Sequence, residues 1–197
     1  MISKGYLRQK YTRGGFSAFD IAKKLKCSQH KVNYWISKHN ILKRSISEAM
    51  YLKNNPGGDP FKIREAKTIG EAKLFGLGLG LYWGEGNRRS KTSIRLGNTD
   101  PNLIKTFIEF LLVIFGISSK KLKFGLQIFS DMSANRVLFF WLNKLRPFNI
   151  KKNQFSKVTV TPARSIGTYR EKSKYGVLTV HFNNTKLKKI LDSMLPL

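Results

Sequence analysis

The chain has 197 residues, room for one ordinary domain and a small companion, and 41% are hydrophobic, which excludes a disordered basic tail. Lys and Arg number 37 against 11 Asp and Glu, giving a net charge of +26 and a pI near 10.4. Because the cations are spread along the whole chain, the expected counterpart is a polyanion, and nucleic acid above all. One cysteine, Cys27, rules out an internal disulfide framework, and His30, His39 and His181 have no zinc-binding spacing with it. The start, Met1-Ile2-Ser3-Lys4, lacks the apolar run of a signal peptide. No basic amphipathic helix with a spare apolar face stands out. A cytoplasmic protein with no membrane partner is expected, nucleoid-associated if the source is prokaryotic.

Residues 4–12 carry Tyr6, Leu7 and Tyr11 at helical spacing, and Gly14-Gly15 ends that helix. Ser17 to Asp20 forms a capping box for a second helix, with Ile21, Ala22 and Leu25 facing inward. A tight turn at Lys26-Cys27 follows. Ser28 then caps a third helix that buries Val32, Trp35 and Ile36. Together these make a small all-α domain over residues 1–43. The run from Ile21 to Ser28, leading to Val32 and Trp35-Ile36, resembles the helix-turn-helix family of DNA-binding domains. Ala22 matches the small residue where the helices cross, and Ser28 the cap of the recognition helix. Lys26 stands where glycine is common; a left-handed lysine costs about 1 kcal/mol. The resemblance implies that the third helix enters the major groove. Gln29, His30, Lys31, Asn33 and Tyr34 would then supply base and phosphate contacts, the alternative being a solvated polar face.

Residues 44–67 read as a linker. It contains a short helix near 45–53 and a turn-rich stretch, Asn54-Asn55-Pro56-Gly57-Gly58-Asp59-Pro60. The second domain is expected over residues 68–197.

It opens with an apolar, glycine-studded helix that ends at Glu85-Gly86. Gly76, Gly80 and Gly84 recur every fourth residue and so share one stripe. Each costs about 1 kcal/mol of helix stability relative to alanine. That cost makes sense where a second helix backbone approaches closely. Glu85 falls at the helix C-terminus, where the macrodipole disfavours an anion, so a cation or proton nearby is expected. The apolar run 74–83 is about half the length of a membrane span.

The nine residues Gly78-Leu79-Gly80-Leu81-Tyr82-Trp83-Gly84-Glu85-Gly86 resemble the motif of the LAGLIDADG homing endonucleases. Leu79, Gly80 and Leu81 match the A-G-L step, Tyr82 and Trp83 stand for I and D, and Glu85-Gly86 for the closing D-G. Glutamate replaces the usual aspartate, and Trp83 removes the earlier acid. The resemblance implies that two motif helices pack together. The last acid of each, Glu85 here, would then bind a divalent metal such as Mg²⁺ at the scissile phosphate.

After the motif helix, residues 93–97 alternate as a strand. Asp100 caps and Pro101 opens an apolar helix, 102–115, stopped by Gly116. A strand at 121–128 puts Leu122, Phe124, Leu126 and Ile128 on one face and Lys121, Lys123 and Gln127 on the other. Asp131 caps a helix over 134–145, ended by Pro147. Strands at 157–161 and 177–182 and a closing helix at 186–194 complete the chain. The order predicts an α+β fold, an antiparallel sheet with helices on one face. Arg88, Arg89, Lys91, Arg95, Lys121, Lys123, Gln127, Lys157 and Thr159 are the candidates for an uncovered, DNA-facing surface.

The endonuclease resemblance covers residues 73–155 and, less closely, the remainder. It implies a water-positioning polar residue near the second helix start, Asn98 or Asp100, and a basic residue near the third, Arg136. Asp100 as a helix cap and Arg136 as a surface cation are the plain alternatives. With one motif per chain, a homodimer across Gly76, Gly80 and Gly84 supplies the second carboxylate. Double-stranded DNA is the expected substrate, and metal-dependent, site-specific hydrolysis the expected reaction. Two other readings stay open. One is a non-catalytic DNA-binding transcriptional regulator with a degenerate LAGLIDADG-like domain, and the other an RNA-splicing cofactor of the same fold.

Overall fold

The computed structural model describes residues 1–163 and 173–196. The chain divides into two compact units, Met1–Pro60 and Phe61–Leu197.

In the first unit, Ser3 caps α1 (Lys4–Leu7), which runs directly into a π-helical turn, Arg8–Arg13, rather than the regular helix expected over 4–12. The widened turn shows in the Gly14 N–H, which donates to the Gln9 carbonyl. Arg44 collects the carbonyls that this geometry frees. Its guanidinium donates to the carbonyls of Tyr11, Gly15 and Phe16 and lies 4.1 Å from the Tyr11 ring centre. Its backbone N–H donates to the Tyr11 hydroxyl. α2 (Ala18–Lys24) starts on a reciprocal capping box: the Ser17 hydroxyl accepts from the Asp20 N–H, and the Asp20 carboxylate from the Ser17 N–H. The Ser17 hydroxyl also donates to that carboxylate at 2.6 Å, and this bond, followed by the one from the Ser17 N–H, holds the Asp20 carboxyl below the usual range. The turn to α3 (Gln29–Lys38) passes through Lys26 at φ 49°, with Ser28 as the cap.

Ile2, Leu7, Tyr11, Ala18, Ile21, Ala22, Val32 and Ile36 form the core of this unit. Trp35 is half-buried at its edge, stacked on His39. Leu25, expected inside, is exposed because it is the C-cap of α2, where the chain turns away. α4 (Ile46–Asn54), with a Ser45–Glu48 capping box, buries no residue fully. Residues 44–60, read from sequence as linker, therefore group with the first unit.

The second unit holds α5 (Ile69–Glu85), β1 (Ser93–Asn98), α6 (Pro101–Val113), β2 (Lys123–Phe129), α7 (Ala134–Lys144), β3 (Thr159–Thr161), β4 (Val177–Asn183) and α8 (Thr185–Ser193). Its α+β class is as expected, but the four-stranded sheet is mixed, in the order β1-β4-β2-β3. β4 pairs antiparallel with β1 and β2, whereas β2 and β3 are parallel. The chain returns from β2 through α7 before β3, and such a crossover is what parallel neighbours require. Alternation puts Ile94, Leu96, Phe124, Leu126, Ile128, Leu178, Val180 and Phe182 on the covered face. They share one core with Phe107, Phe110 and Leu111 of α6, Trp141 of α7, and Leu187 and Leu191 of α8.

Three local expectations change. Ser133, not Asp131, caps α7, its hydroxyl facing the Arg136 N–H. Lys121 belongs to a short 3₁₀ turn, Ser119–Lys121, so β2 starts at Lys123. α6 ends at Val113, and the chain reverses at Gly116, whose φ of 56° suits glycine. A strap entering the unit seals that helix end. The Lys62 and Arg64 N–H groups donate to the carbonyls of Phe115 and Ile114, each at 2.8 Å, and Phe61 is buried beside them. Among the described residues no helix is long and apolar enough to cross a membrane.

Candidate nucleic-acid interface and acidic corner

α5 has two unlike sides. On the inner side Tyr82 is fully buried, its ring parallel to Phe107. Gly78 lets the helix approach α6 so closely that a Cβ there would overlap the Phe110 ring. The Tyr82 hydroxyl donates to Asp192 Oδ1 at 3.3 Å, and the other oxygen of Asp192 pairs with the buried Lys188 ammonium. Burial, and then the Asp192 charge, hold the phenol proton far above its ordinary range. On the outer side Gly76, Gly80 and Gly84 face open space. Leu77 and Trp83 flank that stripe, at 59% and 50% exposure.

The helix stops at Gly86, where a Cβ would overlap the Tyr82 carbonyl and ring. Gly86 bridges Leu96, and the Asn87 N–H donates to the Arg95 carbonyl at 2.9 Å. The chain leaving α5 therefore runs antiparallel along the free edge of β1. Glu85, exposed in the last turn of α5, precedes this bridge and lies opposite Gly97 in the continued register.

The uncovered sheet face is polar and in register. One row across the strands is Arg95–His181–Lys123, the next Gly97–Thr179–Gly125, and the next Val177–Gln127–Thr159 counted from β4 outward. Among the described residues no strand contains an Asp or Glu. The Arg95 Nε donates to the Ser93 hydroxyl at 3.0 Å, and the Gln127 amide to the Thr161 hydroxyl at 3.0 Å. The glycines let neighbouring side chains lie flat. A Cβ on Gly97 would come within 2.9 Å of Thr179 Oγ1, and one on Gly125 within 3.0 Å of His181 Nε2. Burial, and then the Arg95 charge, push the His181 imidazole below its ordinary range.

Arg95, Lys123, Gln127 and Thr159 thus fall on the open face. Arg88, Arg89 and Lys91 are exposed in the connection between Glu85 and β1, and Lys157 is exposed just before β3. Lys121 lies off the sheet, in the 3₁₀ turn. Thr161, Thr179, His181 and Asn183 join the face without having been singled out. For the last three the signal was the alternation with Leu178, Val180 and Phe182 in residues 177–183.

The Asn98 side chain accepts from the Asp100 N–H at 2.9 Å, and the Asp100 carboxylate from the Asn102 N–H at 2.7 Å. Both build the turn into α6, with one polar atom each left over. β1 and β2 run the same way on either side of β4, so Asn98, Asp100 and the start of α7 emerge at one end of the sheet. That is the end beside Glu85. Arg136, exposed in the first turn of α7, follows β2, a strand two places or about 10 Å from β1.

On α3, Gln29, His30, Lys31 and Tyr34 are exposed and Asn33 is half-buried. Lys38 Nζ donates to the Tyr34 hydroxyl at 3.2 Å. Among the described residues no group of three or more His, Cys, Asp or Glu could hold a metal. Among those residues Glu85 therefore belongs to no cage of three or more such ligands. A single carboxylate suits a hard cation such as Mg²⁺, which takes its remaining oxygens from phosphate and water. No protein-family model, curated protein or solved structure matches the chain.

Proposed function

We propose that the chain is a site-specific double-stranded DNA endonuclease that acts as a homodimer of its second unit. The observation that carries this reading is the outer side of α5, where three glycines and the exposed Leu77 and Trp83 lead to Glu85. Glycine at three exposed helical positions costs about 1 kcal/mol each relative to alanine, and among the described residues no contact offsets it. A second copy of the same helix would supply that contact, bringing two Glu85 carboxylates together at the end of the paired helices. The isologous pairing favours a nearly palindromic target.

Each residue has a task in this reading. Arg95 and Lys123 meet phosphates, while Gln127, Thr159, Thr161 and Thr179 present donors and acceptors to base edges in the major groove. Arg88, Arg89 and Lys91 hold the backbone next to the acid. Glu85 and its symmetry mate would hold Mg²⁺, which when bound supplies a polarised water and charge stabilisation at the phosphate. Gly86, folded on Tyr82, fixes where the Glu85 carboxylate leaves the helix. The free amide of Asn98 orients the attacking water, and Arg136 adds positive charge at the same end of the sheet. α3 adds flanking contacts in the manner of a recognition helix, extending the site.

The test is incubation of the full chain with plasmid libraries and Mg²⁺, with EDTA and Glu85→Gln as controls. Metal-dependent double-strand cuts, lost in Glu85→Gln with DNA binding kept, are expected. Binding without cutting under any divalent metal would overturn the reading in favour of a non-catalytic regulator. Trp83, in place of the motif's earlier acid, favours that second reading.

A further inference from the structure

His181 is the histidine on the open sheet face, and its setting is unusual. It sits on β4, with Arg95 in register on β1 and Lys123 in register on β2. Adjacent strands are about 4.8 Å apart, so the three form a band roughly 10 Å wide. The imidazole lies flat against Gly125, and Thr179 and Asn183 are its neighbours on the same side of its own strand. Ser156, near Gly125 on the other side, is turned to the Phe124 carbonyl. The charged groups facing His181 from neighbouring strands are thus both cations, and among the described residues no acid on any strand offsets them.

From this geometry we infer that His181 is a proton-linked phosphate contact, neutral in the free protein and a third cation once a nucleic-acid phosphate lies across the row. The inference rests on the nucleic-acid reading of the sheet face and assigns the face a pH dependence which that reading does not require. Without a ligand, partial burial and the Arg95 charge both disfavour the imidazolium. A phosphate seated above the row reaches Arg95, His181 and Lys123 together. It reverses the sign of the local field and gives the second proton of His181 an acceptor. Binding then takes up one proton per site, and mass action requires affinity to rise as pH falls. A permanent cation in this position would face two others across about 5 Å at all times, whereas a histidine acquires charge only when phosphate is present.

The test is fluorescence anisotropy of the full chain on a short mixed-sequence DNA duplex, from about pH 5.5 to pH 8 at fixed ionic strength, since salt alone shifts such affinities. Wild type should bind up to about tenfold tighter at the acid end, one pH unit of differential protonation corresponding to a factor of ten. His181→Gln should bind with most of this slope gone. An unchanged slope in His181→Gln, with duplex binding intact, would overturn the inference and leave the DNA reading standing. Absence of duplex binding at every pH would overturn both. NMR of the three histidine imidazoles provides a readout on the unmutated protein: the His181 resonance should titrate at higher pH with duplex bound than without. Identical titration in the two states would also defeat the inference.

Discussion

The two sides of α5 place the same residue type in opposite circumstances. Gly78 has its explanation inside the chain, because the Phe110 ring occupies the space a side chain would need. Gly76, Gly80 and Gly84 have none among the described residues, none of which approaches them. A helix carries such residues at a cost of about 1 kcal/mol apiece relative to alanine. On one side the cost is offset by packing against α6. On the other no described residue offsets it, and in the proposed dimer a second copy of the helix does. The difference teaches that glycine spacing locates a close approach without saying whose backbone approaches, and that only the filled side can be read from a single chain.

Substitutions along α5 can break or sharpen this contrast. The largest effect is expected for Gly78→Ala. Overpacking against the buried Phe110 costs about 3 kcal/mol, the gain in helix propensity returns about 1, and chemical denaturation should show a net loss of about 2. Tyr82→Phe removes the hydroxyl from Asp192 on the same inner side, and unfolding should register a loss of about 1 kcal/mol. On the outer side the sign should reverse. Gly80→Ala should stabilise the isolated chain by up to about 1 kcal/mol while weakening self-association in sedimentation experiments. A loss of stability there would mean that the stripe is covered within the chain after all. Smallest in unfolding is Trp83→Ser, expected within about 0.5 kcal/mol of wild type because the ring is half exposed. Its effect should appear only in the dimerisation constant.

What the sequence made legible was local. The Ser17–Asp20 box, the Ser28 cap and the left-handed turn at Lys26 depend on neighbours within four residues, and each stands where the sequence put it. The stop of α5 at Gly86 was equally readable from composition and spacing. What escaped depends on distant partners. The parallel pairing of β3 with β2 joins residues separated by the whole of α7. The π-helical turn at Arg8–Arg13 is matched by Arg44, some thirty residues on, which no periodicity reports. Ser133 displaced Asp131 as a cap because two turn-forming residues lay within reach and only geometry chooses between them. The polar sheet face was half legible: Arg95, Lys123, Gln127 and Thr159 followed from alternation in their strands. His181 escapes a reading by metal-ligand spacing, since only its alternation with Val180 and Phe182 reports its place on the face.

The strap at Phe61–Arg64 bears on how the second unit can be studied alone. A fragment cut at residue 68, the start suggested by the sequence, would lose the two amides that occupy the Phe115 and Ile114 carbonyls and the aromatic ring beside them. The end of its most apolar helix would then be left bare, inviting aggregation that could be mistaken for dimer formation. Expression from Phe61 or earlier keeps that seal, and self-association measured on such a fragment reports on the outer side of α5.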